Sequence, residues 1–551
     1  MSEESIRPPR AGEGSAEAGL GPGLAARLEH AFEAYKARRY HDALALADTA
    51  IGRADGDDPG IRPILAKLHQ LRGVIFSQNL NDYPRATAEF TSALDMAPED
   101  REVRICLIAC KSSGPALDWE RVIELTRPLL VSADEATARF AYETMIQALL
   151  ITPSPTTAEY RDLVTTWSER FIRPQRAGTA SSPTGSLSQR PLRIGFVHRS
   201  FSNRRYDPLV IPLFRELRRC GTVLTAVSTT AAEIATLPEL EGAFDNWVNI
   251  AGLDTAAAVR TVAAMNLDVL INLDGFTSIT EFDLFARRPA SLLVSWHNTH
   301  YTFGGELFDC IIADTMSLSA VERKEYAEDI IDIEPCYFAV EPPVNAPPVV
   351  PTPALASGTV VFGSMNRPNK IGTEVAASWS RILDAVPGSW LFLRNSLYST
   401  PFIGDLLRTR LHAAGISPDR IVLPGAADEY EFLESYGFVD IALDSFPFSG
   451  AFTTYQALWQ GVPVVTFPGD RWAARTSAAV LRSCGLSELI ATDREAYEAL
   501  AISLARDIPR LAELRSTIRD RVARSPIVDM PGFARQFLAK LRERLVARYG
   551  A

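Results

Sequence analysis

Apolar residues recur at helical spacing from about Leu24 to Phe171, separated by short polar or proline-containing breaks. Two stretches here resemble each other, AFEAYKARRYHDALALADTAI and LRGVIFSQNLNDYPRATAEFTSALDMAPED. The second matches the tetratricopeptide pattern, in which small residues let paired helices approach, aromatic residues fill the gaps and a proline follows the second helix. The residues at those positions are Gly73, Tyr83, Ala86, Phe90, Ala93 and Pro98. With two weaker units, DWERVIELTRPLLVSADE and ATARFAYETMIQALL, this pattern predicts a tetratricopeptide domain over residues 23–172, and a plain helical bundle is the alternative.

Beyond residue 190 the pattern changes to short, continuous apolar runs that alternate with helical stretches. Five runs lie within residues 191–340, namely PLRIGFV, TVLTAVS, LDVLINLDG, ASLLVSWH and FDCIIAD. Five more lie within residues 359–551, namely TVVFGSMN, SWLFLRN, RIVLPG, VDIALDS and VPVVTFPG. Such runs, each followed by a helix, are typical of parallel sheets covered on both faces. The sequence therefore predicts an α/β fold of two Rossmann-like domains, preceded by the all-α repeat domain, with a ligand crevice between the two lobes.

Three segments lack this regular patterning. Residues 1–22 are rich in Gly, Glu, Ala and Pro and are expected to form a disordered tail. Residues 173–190, RPQRAGTASSPTGSLSQR, are expected to form a linker. The proline-rich residues 341–358, EPPVNAPPVVPTPALASG, are expected to connect the lobes without helix or central strand.

Composition narrows the classes of function. The 551 residues are 47% hydrophobic and 22% charged, which is the balance of a folded globular protein. A net charge of -11 argues against nucleic acid as a partner. The chain has no apolar run long enough to span a membrane, its N-terminus is unlike a signal peptide, and its six cysteines suggest buried free thiols. These features predict a cytoplasmic protein.

The most specific segment is DIALDSFPFSGAFTTYQALWQGVPVVTFPGDRWAARTSAAVLRSCGLSELIA, residues 440–491. A strand ends at Asp444, and a loop with Ser449 and Gly450 leads to Thr453 and Thr454, which open a helix. The unpaired N–H groups and the dipole of a helix N-terminus favour negative charge. The segment is therefore a candidate cradle for a diphosphate, and a helix capped by Ser and Thr for structural reasons is the alternative.

This segment resembles the donor-binding region of the protein O-GlcNAc transferase and SPINDLY family, from the Thr pair through ALWQGVPVVT to GLSELIA. The resemblance extends over nearly all of residues 191–545, through LRIGFVHRSF, INLDGFTSITEFDLFARRPA, WHNTHYTFGGELFDCIIAD and FGSMNRPNKIGTEVAASWSRILDAVPGSWLFL. It implies a GT-B fold, a nucleotide-sugar donor such as UDP-GlcNAc, and transfer to protein hydroxyl groups. The family's lysine corresponds to Lys370, whose charge would stabilise the leaving diphosphate without a metal. No metal or other cofactor is expected.

The resemblance also assigns residues to the two sides of the crevice. The predicted donor-binding residues are Asn366, Arg367, Lys370, Ser449, Gly450, Phe452, Thr453, Thr454, Asp470 and Arg475. The predicted acceptor-side residues are Asp274, His297, His300 and Thr302.

Some residues differ from the family pattern at positions expected to affect acid–base catalysis and recognition of the donor sugar. Arg204 stands where the family has a histidine after its first strand, so Lys370, His198 and Arg204 are the catalytic candidates. His198 ranks ahead of His297 and His300 as a replacement base, because it directly follows the first strand; for each, a structural role is the alternative. Arg367 and Phe452 also replace family residues. Two arginines at the sugar site would suit an acidic donor, such as a CMP-linked nine-carbon sugar.

The leading functional hypothesis is sugar transfer to Ser or Thr of a protein, such as a flagellin or another bacterial surface protein, bound along the repeat domain. The alternatives are transfer to a non-protein acceptor and an inactive scaffold that retains a nucleotide pocket. The repeat faces would also permit a homodimer.

Overall fold

A computed structural model describes residues 21–54, 58–113, 119–152, 157–176, 182–183, 185–187, 190–199, 201, 207–230, 240, 242–277 and 281–550. The predicted tail lies outside these ranges, apart from its last two residues, which open the first helix. The chain divides into two compact units, residues 1–148 and 149–551. None of the described helices is long and apolar enough to cross a membrane.

The first unit is helical throughout its described elements. They are α1 (Gly21–Lys36), α2 (Tyr40–Ile51), α3 (Arg62–Val74), α4 (Tyr83–Met96), α5 (Arg101–Ser113), α6 (Trp119–Thr126) and most of α7 (Glu135–Ile151). Helices α1 and α2 pack together, as do α3 and α4. A Cβ atom at Gly73 would lie 2.7 Å from the ring of Phe90, so this glycine permits the close approach of α3 and α4. The helical arm expected from the apolar pattern is confirmed.

Residues 149–176 belong to the second unit, although the sequence predicted that the arm ends at residue 172. Helix α8 (Thr157–Trp167) ends at a buried indole, whose centroid lies 5.6 Å from that of Phe276 and 5.5 Å from that of Phe282. Tyr160 packs edge-on against Tyr301, with centroids 4.4 Å apart. These rings attach the last helix of the arm to the first lobe.

The predicted linker also has contacts within its described residues. Arg173 Nε donates to Glu306 at 2.8 Å. Near the other end, Arg190 donates to both carboxylate oxygens of Asp268, at 2.7 and 2.6 Å.

The first lobe contains a parallel sheet of seven strands over the described residues. The strands are β1 (Arg193–His198), β2 (Val223–Ser228), β3 (Asn246–Asn249), β4 (Val269–Asn272), β5 (Leu292–Ser295), β6 (Cys310–Ala313) and β7 (Asp329–Asp332), in the order β3-β2-β1-β4-β5-β6-β7. Its helices are α9 (Asp207–Arg219), α10 (Thr255–Ala263) and α11 (Phe282–Ala286). The sequence pattern missed β3 and β7, because these edge strands are partly exposed and carry polar residues at both ends.

The second lobe contains a five-stranded parallel sheet over the described residues. Its strands are β8 (Val361–Ser364), β9 (Trp390–Leu393), β10 (Ile421–Val422), β11 (Ile441–Leu443) and β12 (Val464–Val465), in the order β10-β9-β8-β11-β12. The helices are α12 (Ala354–Ser357), α13 (Thr373–Ala385), α14 (Pro401–Ala413), α15 (Glu429–Glu434), α16 (Phe452–Trp459), α17 (Thr476–Ser483), α18 (Arg494–Arg506), α19 (Ile508–Ala523) and α20 (Met530–Tyr549). Two successive parallel sheets confirm the predicted two-domain α/β fold.

Two features join the lobes. Arg515 on α19 donates to the carbonyl of Val350 at 2.7 Å and so fixes the proline-rich connection. This connection contains the single-turn helix α12, whereas its prolines had predicted a segment without helix. Helix α20 returns to the first lobe, where the Tyr549 hydroxyl donates to the carbonyl of Ser291 at 2.8 Å.

Candidate active site

The loops that follow the parallel strands of the two lobes meet at their carboxyl ends. His300 in the first lobe lies beside Phe448 in the second, with ring centroids 4.9 Å apart. Arg475 in the second lobe forms an ion pair with Glu322 in the first, and both side chains are nearly buried. In folds of this kind ligands bind at this edge of the sheets, so the candidate site lies here.

Asp444, at the end of β11, organises the loop that precedes α16. Its Oδ1 accepts from the N–H of Gly450 at 2.8 Å, and its Oδ2 accepts from the hydroxyl of Thr466 at 2.6 Å. Burial raises the pKa of Asp444, while these donors act in the opposite direction. Gly450 is required for the path of the loop, since a Cβ atom there would lie 2.5 Å from the hydroxyl oxygen of Thr454.

Helix α16 begins without a side-chain cap. Its N-cap, Ala451, carries no hydrogen-bonding group, so no side chain there satisfies the first N–H groups of the helix. The hydroxyl of Thr453 donates to Asn366 Oδ1 at 3.2 Å, and this contact brings two of the predicted donor-binding residues together. The hydroxyl of Thr454 lies 2.7 Å from that of Ser477. A helix start without a side-chain cap leaves backbone N–H groups that could bind an anionic group, and the diphosphate cradle stays a prediction.

Lys370 reaches this loop from β8. Its Nζ donates to the carbonyl of Ser449 at 2.7 Å and lies 4.1 Å from the ring centroid of Phe448. Burial lowers the pKa of Lys370 to about 7; Asp444 raises it and Arg367 lowers it further. The lysine closes a 3₁₀ turn before α13 and does not open the helix itself. A cation whose charge is poorly solvated is well suited to receive an anion.

The other predicted donor-binding residues have mixed environments. The Phe452 ring stacks on Tyr455, with centroids 6.0 Å apart, and the Arg367 side chain is exposed. Asp470 is paired with Arg471 at 2.9 Å. Arg475, besides its ion pair with Glu322, donates from Nε to the carbonyl of Gly469 at 3.0 Å. These protein partners account for Asp470 and Arg475 without a ligand.

On the acceptor side, the structure brings His198 and Asp274 together, with Nδ1 and Oδ1 2.8 Å apart. Burial lowers the pKa of His297 to about 4, with a further decrease from His198 that Asp274 opposes. Burial also lowers the pKa of His300 to about 3, helped by the charge of Lys370. His297 and His300 are therefore neutral at physiological pH. Arg204, the third catalytic candidate, lies outside the described residues.

Thr302 is part of the support of its own loop. Its hydroxyl donates to Glu328 Oε2 at 2.6 Å, and Glu328 Oε1 accepts from the N–H groups of Phe303 and Gly305, at 2.8 and 3.1 Å. Burial raises the pKa of Glu328. Because the hydroxyl proton and the carboxylate are both engaged, the structure gives Thr302 a role in shaping the loop.

Sequence reasoning missed three residues that contribute to the site. Asp444 was noted only as the end of a strand, although an acidic residue at that point is a usable signal. Phe448 lies inside the most specific segment and carries the cation contact of Lys370. Glu322 lies in a polar run, SAVERKEYAE, with no local feature to mark its pairing with Arg475. Among the described residues, no group of three or more His, Cys, Asp or Glu could hold a metal ion.

Two comparisons concern the sequence. Residues 178–341 and 352–537 match the family model of glycosyl transferase family 41. The SPINDLY protein of Arabidopsis thaliana, described as a probable UDP-N-acetylglucosamine--peptide N-acetylglucosaminyltransferase, is 33% identical over 289 residues, or 52% of this chain and 32% of that protein. The SEC protein of the same plant, described likewise, is 26% identical over 351 residues, or 61% of this chain and 35% of that protein. The chain thus spans about a third of the length of these relatives.

A third comparison concerns the fold. A mutant of the O-GlcNAc transferase of Thermobaculum terrenum superposes with a TM-score of 0.78 at 24% identity, covering 97% of this chain and 100% of that one. This likeness shows the GT-B fold of the two lobes and a helical N-terminal region. The family resemblance inferred from the Thr pair and the lysine segment is confirmed. Since the family model covers most of both lobes, the chain is a member of glycosyl transferase family 41.

Proposed function

We propose that this chain transfers a sugar from a nucleoside diphosphate to Ser or Thr hydroxyl groups of a protein. The observation that carries the proposal is the convergence of Lys370 and the uncapped start of α16 on one loop, at Ser449 and Gly450. A helix N-terminus and a partly desolvated ammonium group both favour the same ligand, a diphosphate. Membership of glycosyl transferase family 41 supports a sugar as the group that the diphosphate carries.

In this proposal the helix start and Lys370 have different roles toward the diphosphate. The backbone N–H groups at the start of α16 bind the diphosphate, and Lys370 stabilises the charge that grows as the bond between sugar and diphosphate breaks. Asp444 holds the loop in place through the Gly450 N–H and does not itself touch the ligand. The relatives' descriptions name UDP-N-acetylglucosamine and peptides, which supports UDP-GlcNAc as the first donor to test and a protein as acceptor.

The direct test has two stages. Thermal shift with UDP, GDP and CMP and with their sugar conjugates should reveal one preferred nucleotide, since ligand at about 100 times its Kd adds about 2.7 kcal/mol of stability. The shift should weaken in Lys370→Ala. Incubation with the preferred donor and candidate proteins, followed by intact-protein mass spectrometry, should then show acceptor molecules heavier by one sugar. Binding without transfer to any protein would favour a non-protein acceptor, and the absence of any shift would favour an inactive scaffold.

A second donor class is favoured by one observation. The charge of Arg367 lowers the pKa of Lys370, so two cationic side chains lie near each other on the donor side of the site. A donor that adds a sugar carboxylate to its phosphate, such as a CMP-linked acidic sugar, would supply a partner for the second charge. This donor class would be supported if CMP-linked acidic sugars raised the melting temperature of the protein and UDP-GlcNAc did not.

The acceptor, its mode of binding and the location of the reaction are further parts of the proposal. We expect the helical arm to bind the acceptor, because stacked helix pairs offer extended surfaces for a polypeptide. A flagellin or another bacterial surface protein, a homodimer and a cytoplasmic location stay predictions from the sequence. Cross-linking of a labelled acceptor followed by peptide mapping would test whether the acceptor binds along the helical arm. Light scattering would test whether the chain forms a dimer.

A further inference from the structure

His198 and Asp274 lie side by side at the carboxyl ends of two adjacent central strands. Strands β1 and β4 are paired in parallel, with Val197 opposite Asn272. His198 follows on β1, and Asp274 lies just beyond the end of β4. The resulting distance between His198 Nδ1 and Asp274 Oδ1 is 2.8 Å. This position is where a Rossmann-like sheet presents its functional groups.

Asp274 is held firmly in this position. It is 1% exposed, and its Oδ2 accepts from the N–H of Arg199 at 2.8 Å. One carboxylate oxygen thus bonds to the backbone after β1, while the other lies against the imidazole of His198. The edge of the Phe201 ring packs against the same imidazole, with centroids 5.6 Å apart. The carboxylate and the aromatic ring restrict the imidazole, which is 5% exposed.

The loop after β5, which contains His297 and Asn298, packs against the residues that follow β4. Gly275 has φ +53°, and a Cβ atom there would collide with the carbonyl oxygen of Asn298. Asn298 Nδ2 in turn donates to the carbonyl of Leu273 at 2.9 Å, so the loop after β5 is attached to the end of β4. His297 in this loop has φ +79°, a left-handed conformation that is strained for a residue other than glycine. Strain of this kind is concentrated at functional sites.

Three histidines lie after β1 and β5 in the first lobe, and they differ in their surroundings. His300 contacts Phe448, the same ring that faces Lys370. The lowered pKa values of His297 and His300, about 4 and 3, make them weak proton acceptors at neutral pH. His198 is the histidine with a carboxylate at 2.8 Å, and such a neighbour stabilises an imidazolium.

Resting on the proposed function, we propose that His198 is the base of the transfer reaction and that Asp274 is its positioning residue. Nε2 of His198 takes the proton of the acceptor hydroxyl as its oxygen forms a bond to the anomeric carbon of the sugar. The bond between that carbon and the diphosphate oxygen breaks, and its electron pair leaves with the diphosphate beside Lys370. The carboxylate of Asp274, which lies against the ring, stabilises the imidazolium that results.

The test compares a serine acceptor with a thiol acceptor. A serine peptide that the wild-type chain labels is made again with cysteine at the labelled position; because a thiol ionises near pH 8.5, it depends far less on a base. His198→Ala should lower kcat on the serine peptide by about 10²–10⁴-fold, and Asp274→Asn should also lower it, with KM for the donor unchanged. Both variants should recover most of the loss on the cysteine peptide. His412→Ala, which removes an exposed histidine on α14, is the matched control and should retain full activity.

The outcomes separate this inference from the proposed function. Wild-type transfer together with full activity of His198→Ala on serine would overturn the base assignment and leave the function intact. Equal losses on serine and cysteine peptides, or a changed melting temperature in Asp274→Asn, would show a structural role and also overturn it. A wild-type chain that labels neither peptides nor proteins and does not hydrolyse any nucleotide sugar would overturn both claims.

Discussion

Nucleotide-sugar binding should weaken as the pH rises, because Lys370 must gain a proton to bind a diphosphate. Burial disfavours the charged form of this lysine and lowers its pKa to about 7. A bound diphosphate supplies the missing counter-charge and should return the pKa to the ordinary lysine range near 10.4 or above. Binding is then coupled to proton uptake, and affinity is full below pH 7 and decreases above it.

The size of the effect follows from these two values. Between pH 6 and pH 8 the protonated fraction of a group with a pKa of about 7 falls from about 0.9 to about 0.1. Affinity should therefore fall about tenfold, or about 1.4 kcal/mol, and about 0.9 proton should be taken up per site at pH 8. His297 and His300 stay neutral across this range and do not contribute.

Isothermal titration calorimetry with the preferred nucleotide sugar would measure both quantities. Titrations at pH 8 in two buffers of different ionisation enthalpy report the protons taken up. A nucleotide sugar is preferable to a free nucleoside diphosphate, because a terminal phosphate itself titrates near pH 6. Lys370→Met, which keeps the length of the side chain but cannot be charged, should bind weakly with little pH dependence. Equal affinity at pH 6 and pH 8 in the wild type, or an unchanged slope in Lys370→Met, would refute the reasoning.

Three further substitutions test the structural basis of the site. Gly450→Ala places a Cβ atom 2.5 Å from the Thr454 hydroxyl and should reduce transfer by about 10²-fold, the loss expected for a displacement of about 1 Å, as measured by steady-state kinetics. Glu322→Ala leaves the nearly buried Arg475 without its carboxylate and should cost about 3–5 kcal/mol in denaturant unfolding; combining it with Arg475→Met should cost less than the sum of the two single changes. Arg515→Met removes the donor to three backbone carbonyls and should destabilise the second unit by about 3 kcal/mol, and unchanged unfolding would contradict that role.

The fold was largely predictable because its central strands are buried on both faces. The runs IGFV within β1 and LLV within β5 are continuously apolar, and such runs can be recognised in the sequence alone. The edge strands β3 and β7 have no such run, since one face of each meets solvent or loops. The contacts of α8 could not be predicted for a related reason: Trp167 and Tyr160 look like ordinary helix-packing residues in the sequence, and only the folded chain shows that they pack on Phe276 and Tyr301.

The site was predictable where its chemistry is local in sequence. The loop from Ser449 to Thr454 forms one continuous motif, and the lysine segment could be matched as a string. Pairings between distant segments could not be deduced from spacing, because they depend on which strands become neighbours. Asp274 is beside His198 only because β4 is inserted next to β1, and Glu322 meets Arg475 only when the two lobes come together.

The attachment of α8 to the first lobe determines where this protein can be recombined with its relatives. A chimera joined at residue 172, the boundary suggested by the repeats, would remove Tyr160 and Trp167 from the aromatic rings that they cover. The first lobe would then expose an apolar surface that is prone to aggregation. A junction near residue 148 keeps those rings covered. Exchanging the helices before that point would leave the second unit and its aromatic contacts unchanged, and it would test separately the proposal that the arm selects the acceptor.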